Sequence, residues 1–445
     1  MGDTTAARER PRIGIDLRPL TESRTFRMLW MAGVISGIGT RFTTIAMVWQ
    51  VKELTDDDAG KLALIGLCYA VPLLVLSVFG GAIADKRDRR TIIVGTSLVG
   101  LCTAGVLAAN SLLDQPQLWV IYAVAVANAC QMAIAGPARM SLSRLLVRQE
   151  LLGAAAALDQ VSYNVAFVGG PLVAGLLIGV AGVEWTYVID VASYAVAVVL
   201  VLSAGALPRM DVRGRTLDNI VEGIRYIRSR SELVAAFLAD VIAMVFGYPS
   251  VLMALVVAER YQDNPRTLGA LLAAVPAGML LSALTSGWTA RVHRHGMGVV
   301  LAISLWGLAI AAFAFTGPFW LSFVVLMLAG VGDSISGVFR MQILQTGTPP
   351  EMMGRIMGVG MAVWAAGPQL GDFEAGAVAD LTSVNTSIFL GGAASVLGVW
   401  LLAIVWPSFR TYDVREHRAR LASSPAAGAP AASPIGVETA EGATT

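Results

Sequence analysis

Charged side chains set inside long apolar runs are the residues of this chain most able to do chemistry. Arg41, Asp159, Asp240, Asp333, Arg340, Asp372 and Glu374 each stand in such a run. A charge at the centre of a bilayer costs about 3 kcal/mol or more unless it is paired or hydrated. Such residues therefore pair with one another, meet a crossing solute, or carry protons. A carboxylate desolvated there can trade a proton near neutral pH, which makes Asp333, Asp372 and Glu374 the candidate proton carriers. Asp333 lies seven residues before Arg340 and shares its helix face. Arg41 and Asp333 fall near the middle of their runs, where a solute would meet them.

Other chemistries find no residues to carry them. The histidines, His293, His295 and His417, lie in loops or the tail, so neither a metal site nor a Ser-His centre is expected within the apolar runs. Cys68, Cys102 and Cys130 sit inside runs at spacings that fit neither a disulfide framework nor a metal. A phosphate-binding loop needs a lysine in a GxxxxGK[ST] context, and Lys52, Lys61 and Lys86 are all outside one. No enzyme activity, metal, cofactor or nucleic-acid partner is expected. Any pumping draws on an ion gradient, with the proton as the expected coupling ion.

The elements that position these residues follow from composition. The 445 residues are 56% hydrophobic and 14% charged, against about 25% charged in soluble domains, and the mean hydropathy is +0.68. Twelve runs are long enough for membrane helices: roughly 27–50, 61–84, 91–110, 117–138, 153–180, 185–207, 233–258, 267–290, 297–316, 318–344, 352–381 and 385–407. They are continuously apolar rather than alternating, which disfavours barrel strands. The expected class is an all-α polytopic membrane protein.

Basic residues orient it. With twelve spans both termini share one face, and most of the 32 Lys and Arg fall in the segments on that face. Lys52, Lys61, Arg260 and Arg266 occupy the loops opposite. The excess places both termini in the cytoplasm and the protein in the cytoplasmic (inner) membrane, in contact with lipid. The amino terminus, with no apolar core ahead of a cleavage-like site, does not read as a secretory signal.

The longest polar interruption, PRMDVRGRTLDNIVEGIRYIRSRSEL (208–233), carries Ile220, Ile224 and Ile227 at helical spacing among basic residues. It reads as an amphipathic helix on the membrane surface. It divides the chain into a segment 1–26, a six-helix bundle 27–207, a linker 208–232, a second bundle 233–407 and a tail 408–445, disordered by its Ala/Pro/Ser/Gly bias. A shift of 201 residues aligns Gly136, Arg139, Met140, Glu150, Gly153, Gly170, Ala174 and Gly175 with Gly337, Arg340, Met341, Glu351, Gly354, Gly371, Ala375 and Gly376 without a gap. Parallel repeats of this kind hold a solute between two rocking halves.

Three motifs carry a family resemblance. Gly81-Ala-Ile-Ala-Asp85-Lys86-Arg87-Asp88-Arg89-Arg90 resembles the G-x-x-x-D-[RK]-x-G-R-[RK] signature of the major facilitator superfamily, with Asp88 where glycine is usual. The resemblance implies a cytoplasmic gate of Gly81, Asp85, Lys86, Arg89 and Arg90. In that gate Asp85 docks on the start of span 11, where Thr348-Pro349-Pro350-Glu351 has the form of a capping box with Thr348 as N-cap. Gly170-Pro171-Leu172-Val173-Ala174-Gly175 resembles the antiporter motif of drug exporters, with Ala174 where glycine is common. Ala283-Leu284-Thr285-Ser286-Gly287, Leu344 to Ile356 and Gly371-Asp372 look like the enterobactin exporter branch, which also holds macrolide and drug effluxers. The likeness runs from about residue 25 to 410. It implies a monomeric twelve-helix transporter exporting a small molecule, with two pseudo-symmetric bundles. Spans 1, 4, 7 and 10 line the cavity of that fold, which makes Asp240 of span 7 and Arg340 of span 10 a candidate ion pair. An importer of the same superfamily and a non-transporting sensor are the alternatives.

Overall fold

The computed structural model describes residues 16–86, 89–205 and 216–415, with backbone alone at 78–86, 89, 137, 140–144 and 216–219. The helices are α1 (Arg18–Glu22), α2 (Arg24–Leu54), α3 (Ala59–Lys86), α4 (Arg89–Ser111), α5 (Leu118–Leu146), α6 (Leu152–Ala181), α7 (Val183–Ser203), α8 (Thr216–Arg228), α9 (Ser231–Gly247), α10 (Met253–Arg260), α11 (Pro265–Leu284), α12 (His295–Phe313), α13 (Phe319–Gly347), α14 (Pro350–Leu381), α15 (Val384–Val405) and α16 (Pro407–Arg410). Among the described residues there is no strand; Arg294 and Asp413 form an isolated bridge.

Among the described residues, ten helices are long and apolar enough to cross a membrane. The two remaining expected spans are α14, which is 32 residues long and carries Asp372, Glu374 and Asp380, and the broken pair α9–α10. The amphipathic stretch of the linker is α8.

Helix ends follow local chemistry. Ser23 caps α2 by accepting from the Phe26 N–H, and Ser383 caps α15 by accepting from Thr386. Asn264 caps α11, with Pro265 at its first position. Two expectations are corrected. Span 7, expected as one helix over 233–258, breaks between Gly247 and Met253: Pro249 forces Tyr248 into an extended conformation (φ −145°, ψ 97°). The capping box at span 11 does not form. Pro350 drives the residue before it out of helical space, so Pro349 (φ −63°, ψ 150°) becomes the N-cap. Thr348 Oγ1 is left buried without a hydrogen-bond partner among the described residues.

The helices pack as two equivalent sets. In the first half α2 meets α6 and α7, α4 meets α5 and α7, and α3 meets α5. In the second, α9 meets α14 and α15, α12 meets α13 and α15, and α11 meets α13. Each contact in one set has its counterpart six spans later in the other. The halves join through α3 against α14 and α6 against α11, again a symmetry-related pair.

Small residues make both joints. At Gly269 a side chain would run into the Pro171 carbonyl of α6, and at Gly175 it would come within 2.9 Å of Gly269 Cα. At Gly66 a Cβ would stand 2.9 Å from Phe373 N, and at Gly376 it would collide with Ala63. All of these contacts fall in the ends of the helices remote from the chain termini, termed the distal face below.

Candidate transport pathway

Asp240 belongs to a helical stripe on α9. Leu233, Ala236, Phe237, Ala243 and Gly247 share its buried face and turn it toward α13 and α14. There Asp240 Oδ1 meets Arg340 Nε at 2.8 Å. Its other oxygen accepts a hydrogen bond from Trp364 Nε1 at 3.2 Å. Arg340 Nη2 lies 3.8 Å from Asp333 Oδ1, one face along α13. The Asp240 and Arg340 side chains are 3% and 7% exposed, whereas Asp333 keeps 31%. Arg340 Nη1 is buried without a hydrogen-bond partner among the described residues. The network thus has a sealed end at Asp240 and an accessible end at Asp333, with one guanidinium between two carboxylates.

The facing wall comes from the first half. On α2, Gly33, Gly37 and Arg41 recur every four residues on one side of the helix. The Arg41 guanidinium lies 3.8 Å over the Phe167 ring of α6. Phe167 stacks on Tyr163 with centroids 4.4 Å apart. Gly170 permits this approach, since a side chain there would come within 2.9 Å of Arg41 Cβ. Tyr163 lies within electrostatic reach of both Arg41 and Asp333. From α5, Arg139 reaches toward Ser36 Oγ at 3.5 Å.

The other expected residues separate from this cluster. Asp372 does not line it: its carboxylate accepts from Ser250 Oγ (2.8 and 3.0 Å) and from the Val251 N–H (3.0 Å). It therefore holds the break between α9 and α10. Glu374, half-buried on α14, has no hydrogen-bond or ion-pair partner among the described residues. Asp159 is exposed on α6, one turn before Tyr163. Pro171 and Gly175 lie in the α6–α11 joint, Ala174 is buried beside them and Gly170 stands against α2. In the gate motif Gly81, Asp85 and Lys86 close α3 and Arg89 opens α4, but their side chains lie outside the described residues. Arg90 donates to the Leu202 carbonyl at 2.9 Å.

Three participants escape sequence reasoning. For Trp364, one of several aromatics in the runs, the sequence offers at most a place on the wall of the passage and no partner. Arg139 enters only as the repeat mate of Arg340. Lys52 reads merely as a loop charge, yet its side chain is 4% exposed and bonds Asp263 at 2.6 Å and Asp57 at 3.3 Å. The neighbouring turns could have disclosed it. Asp56-Asp57 and Gln262-Asp263 all adopt positive φ, so spans 1 and 7 end in the same left-handed turn.

Known proteins resemble this chain in sequence and in fold. The chain is 29% identical over 412 residues to Enterobactin exporter EntS of Shigella dysenteriae serotype 1 (strain Sd197), covering 88% of this chain and 94% of that protein. The Enterobactin exporter EntS of Escherichia coli O1:K1 / APEC matches at the same identity and coverage. Among solved structures, a mutant of the nucleoside transporter NupG superposes with a TM-score of 0.70 at 12% identity, over 86% of this chain and all of that one. A bacterial homolog to the human lysosomal transporter Spinster, in an inward-facing and unoccupied conformation, gives 0.65 at 15% identity over 92% of this chain and 100% of its own. These structural likenesses establish the major facilitator fold. With the family profile matched over residues 16–427, the chain is a member of the transmembrane secretion effector family of the major facilitator superfamily.

Proposed function

We propose that this protein exports a small organic molecule, siderophore-like or hydrophobic and drug-like, across the cytoplasmic membrane by proton antiport. The observation that carries the reading is Arg340 held between buried Asp240 and accessible Asp333, in an interior shared by two equivalent six-helix halves. A proton on Asp333 removes one of the two charges that fix Arg340. The guanidinium is then bound by Asp240 alone, and the second wall becomes more positive. Loading and unloading that proton from opposite sides of the membrane biases the two halves in turn. Asp333 is the proposed proton carrier, Asp240 and Arg340 the positioning pair, and Arg41 a solute contact.

The excess of basic residues on the terminal face supports cytoplasmic termini. The distal face is then external, and the glycine joints described above hold it closed. Asp85, with Arg89 and Arg90 nearby, is the proposed latch of the cytoplasmic face. Asp85→Asn is expected to lower transport at equal expression.

The test is flux. The protein, reconstituted in liposomes and energised by a pH step, is expected to move a catecholate siderophore or a hydrophobic drug against its gradient, with counterflow of protons read by an internal dye. Asp333→Asn is expected to abolish pH-driven movement while preserving downhill exchange. Pumping by Asp333→Asn at the wild-type rate would reject Asp333 as carrier, and absence of flux under any gradient would reject the transport reading.

A further inference from the structure

The interior is electrically lopsided. In the second half Arg340 has two carboxylates, and at the distal face Lys52 has two more. In the first half Arg41 and Arg139 have none within ion-pair distance among the described residues. The contacts each does make are neutral: the Phe167 ring at 3.8 Å for Arg41 and the Ser36 hydroxyl at 3.5 Å for Arg139. Asp190, the buried carboxylate nearest in sequence to this wall, is on the far side of α2, where Thr43 and Ser193 occupy it. Among the described residues these two cations thus have no counter-charge, an arrangement unfavourable in a low-dielectric interior until an anion arrives.

We propose that Arg41 and Arg139 form an oxyanion-binding pair on the wall of the first half, taking the carboxylate of a small organic solute. The geometry is suited to it. Gly33 lies 3.9 Å from Arg139 Nη1, taken from the position its Cβ would occupy. Arg41 is two turns further along the same side of α2, about 12 Å away along the axis. Each arginine is long enough to cover half that gap. Between them stands Gly37, where a side chain would meet nothing within 4 Å. The space between the two guanidiniums therefore borders bare backbone rather than a packed side chain. Phe167 covers one face of the Arg41 guanidinium at 3.8 Å and is backed by Tyr163. That contact fixes the plane and leaves the N–H edge free to donate as a fork to a carboxylate. Arg139 makes one long hydrogen bond, to Ser36 Oγ at 3.5 Å, and its remaining donors are available.

The consequence is a division of labour. The first half supplies the fixed positive wall that binds solute, and the second supplies the carboxylate that exchanges protons. Solute and proton sites then face each other across the passage instead of sharing one residue. The proposal rests on the transport reading for the nature of the ligand, but its test reads binding alone.

The experiment uses the full chain in nanodiscs of phosphatidylcholine, titrated calorimetrically with benzoate, benzamide and benzylamine. These probes share a ring and differ in charge. Benzoate is expected to bind and the other two to bind at least about tenfold more weakly, the scale of a charged hydrogen bond. Arg41→Gln and Arg139→Gln are each expected to weaken benzoate by about tenfold, while Asp114→Asn, exposed in the loop between α4 and α5, leaves it intact. Size-exclusion profiles and melting temperatures without ligand check that the variants fold. Should Arg139→Gln fail that check, Arg139→Lys, which keeps the charge but loses the fork, is expected to fold and bind several-fold more weakly. The proposal is overturned by absence of benzoate binding, by equal binding of benzamide or benzylamine, or by unchanged affinity in the folded arginine variants. Competition by added phosphatidylglycerol would assign the pair to a lipid headgroup and overturn it too. Benzoate binding without flux of any solute would sink the transport reading and leave the pair standing.

Discussion

Asp240 and Arg340 show how a buried ion pair is best tested, because its value lies in what happens when only one member is removed. Both are nearly sealed from solvent, so Arg340→Gln leaves Asp240 with only the Trp364 hydrogen bond. The expected destabilisation is about 3–5 kcal/mol, measured as a fall in melting temperature in detergent. The double variant Asp240→Asn/Arg340→Gln is expected to recover most of it, since no buried charge is left over. If both variants melt together, the pair is not coupled. This contact is legible in the sequence only with the family resemblance: depth puts the two opposite charges toward the same face, and the resembling fold puts their spans, 7 and 10, on one cavity. Trp364 is not, because an indole N–H in a membrane helix has several ordinary uses and its partner lies 124 residues away. Arg139 is hidden differently. Its alignment with Arg340 points to a repeated role, whereas the two arginines end in opposite electrostatic surroundings.

Helices are the most legible level, since length and continuous hydropathy decide them, and the reading errs where backbone chemistry overrides hydropathy. Span 7 remains apolar through Tyr248–Leu252, yet Pro249 opens it. The freed groups are taken up by Asp372, 121 residues from Val251. By its type and depth Asp372 reads as a proton candidate; in the structure it serves as the acceptor that terminates α9 and starts α10. Asp372→Asn keeps one acceptor oxygen and is expected to cost about 1 kcal/mol. Asp372→Ala leaves the Val251 N–H unpaired in a buried site and should cost about 1–3 kcal/mol. Hydrogen exchange at Ser250–Met253 checks this directly: faster exchange in the alanine variant, with α12 unchanged, is expected. Equal protection in both variants would mean that the break holds itself. The joint between halves makes a second prediction at this scale. Gly269→Leu drives a side chain into the Pro171 carbonyl and is expected to cost roughly 1–3 kcal/mol, seen as a lower melting temperature. Gly287→Leu, in open space, is the matched control.

At the scale of the molecule, the repeat visible as eight aligned residues proves to organise every principal helix contact. Its distal end escapes the alignment because the offset changes there: the paired left-handed turns at Asp56-Asp57 and Gln262-Asp263 are 206 residues apart rather than 201. Those turns present one aspartate from each half to a single lysine. Lys52 is buried, although Asp57 and Asp263 are about half exposed, and Trp49 stacks near its ammonium at 4.8 Å. Alternating access requires this end to part, and parting it separates Asp263 from Lys52 while Asp57 stays with its own half. Lys52 is thus a cross-link that breaks on one side only. Because the carboxylates are exposed, its contribution to the closed state is about 1 kcal/mol, or a shift of about fivefold between closed and open populations. Lys52→Met keeps the apolar stem and removes the charge. Spin labels at Gln115→Cys and Thr382→Cys, exposed positions on the distal face of either half, in a background without Cys68, Cys102 and Cys130, report the separation. The longer-distance population is expected to grow about fivefold in Lys52→Met and to remain at the wild-type level in Lys52→Arg. High salt should move the wild type part of the way, since half-exposed carboxylates are screened. An unchanged distance distribution in Lys52→Met would place the closing force in the glycine joints alone.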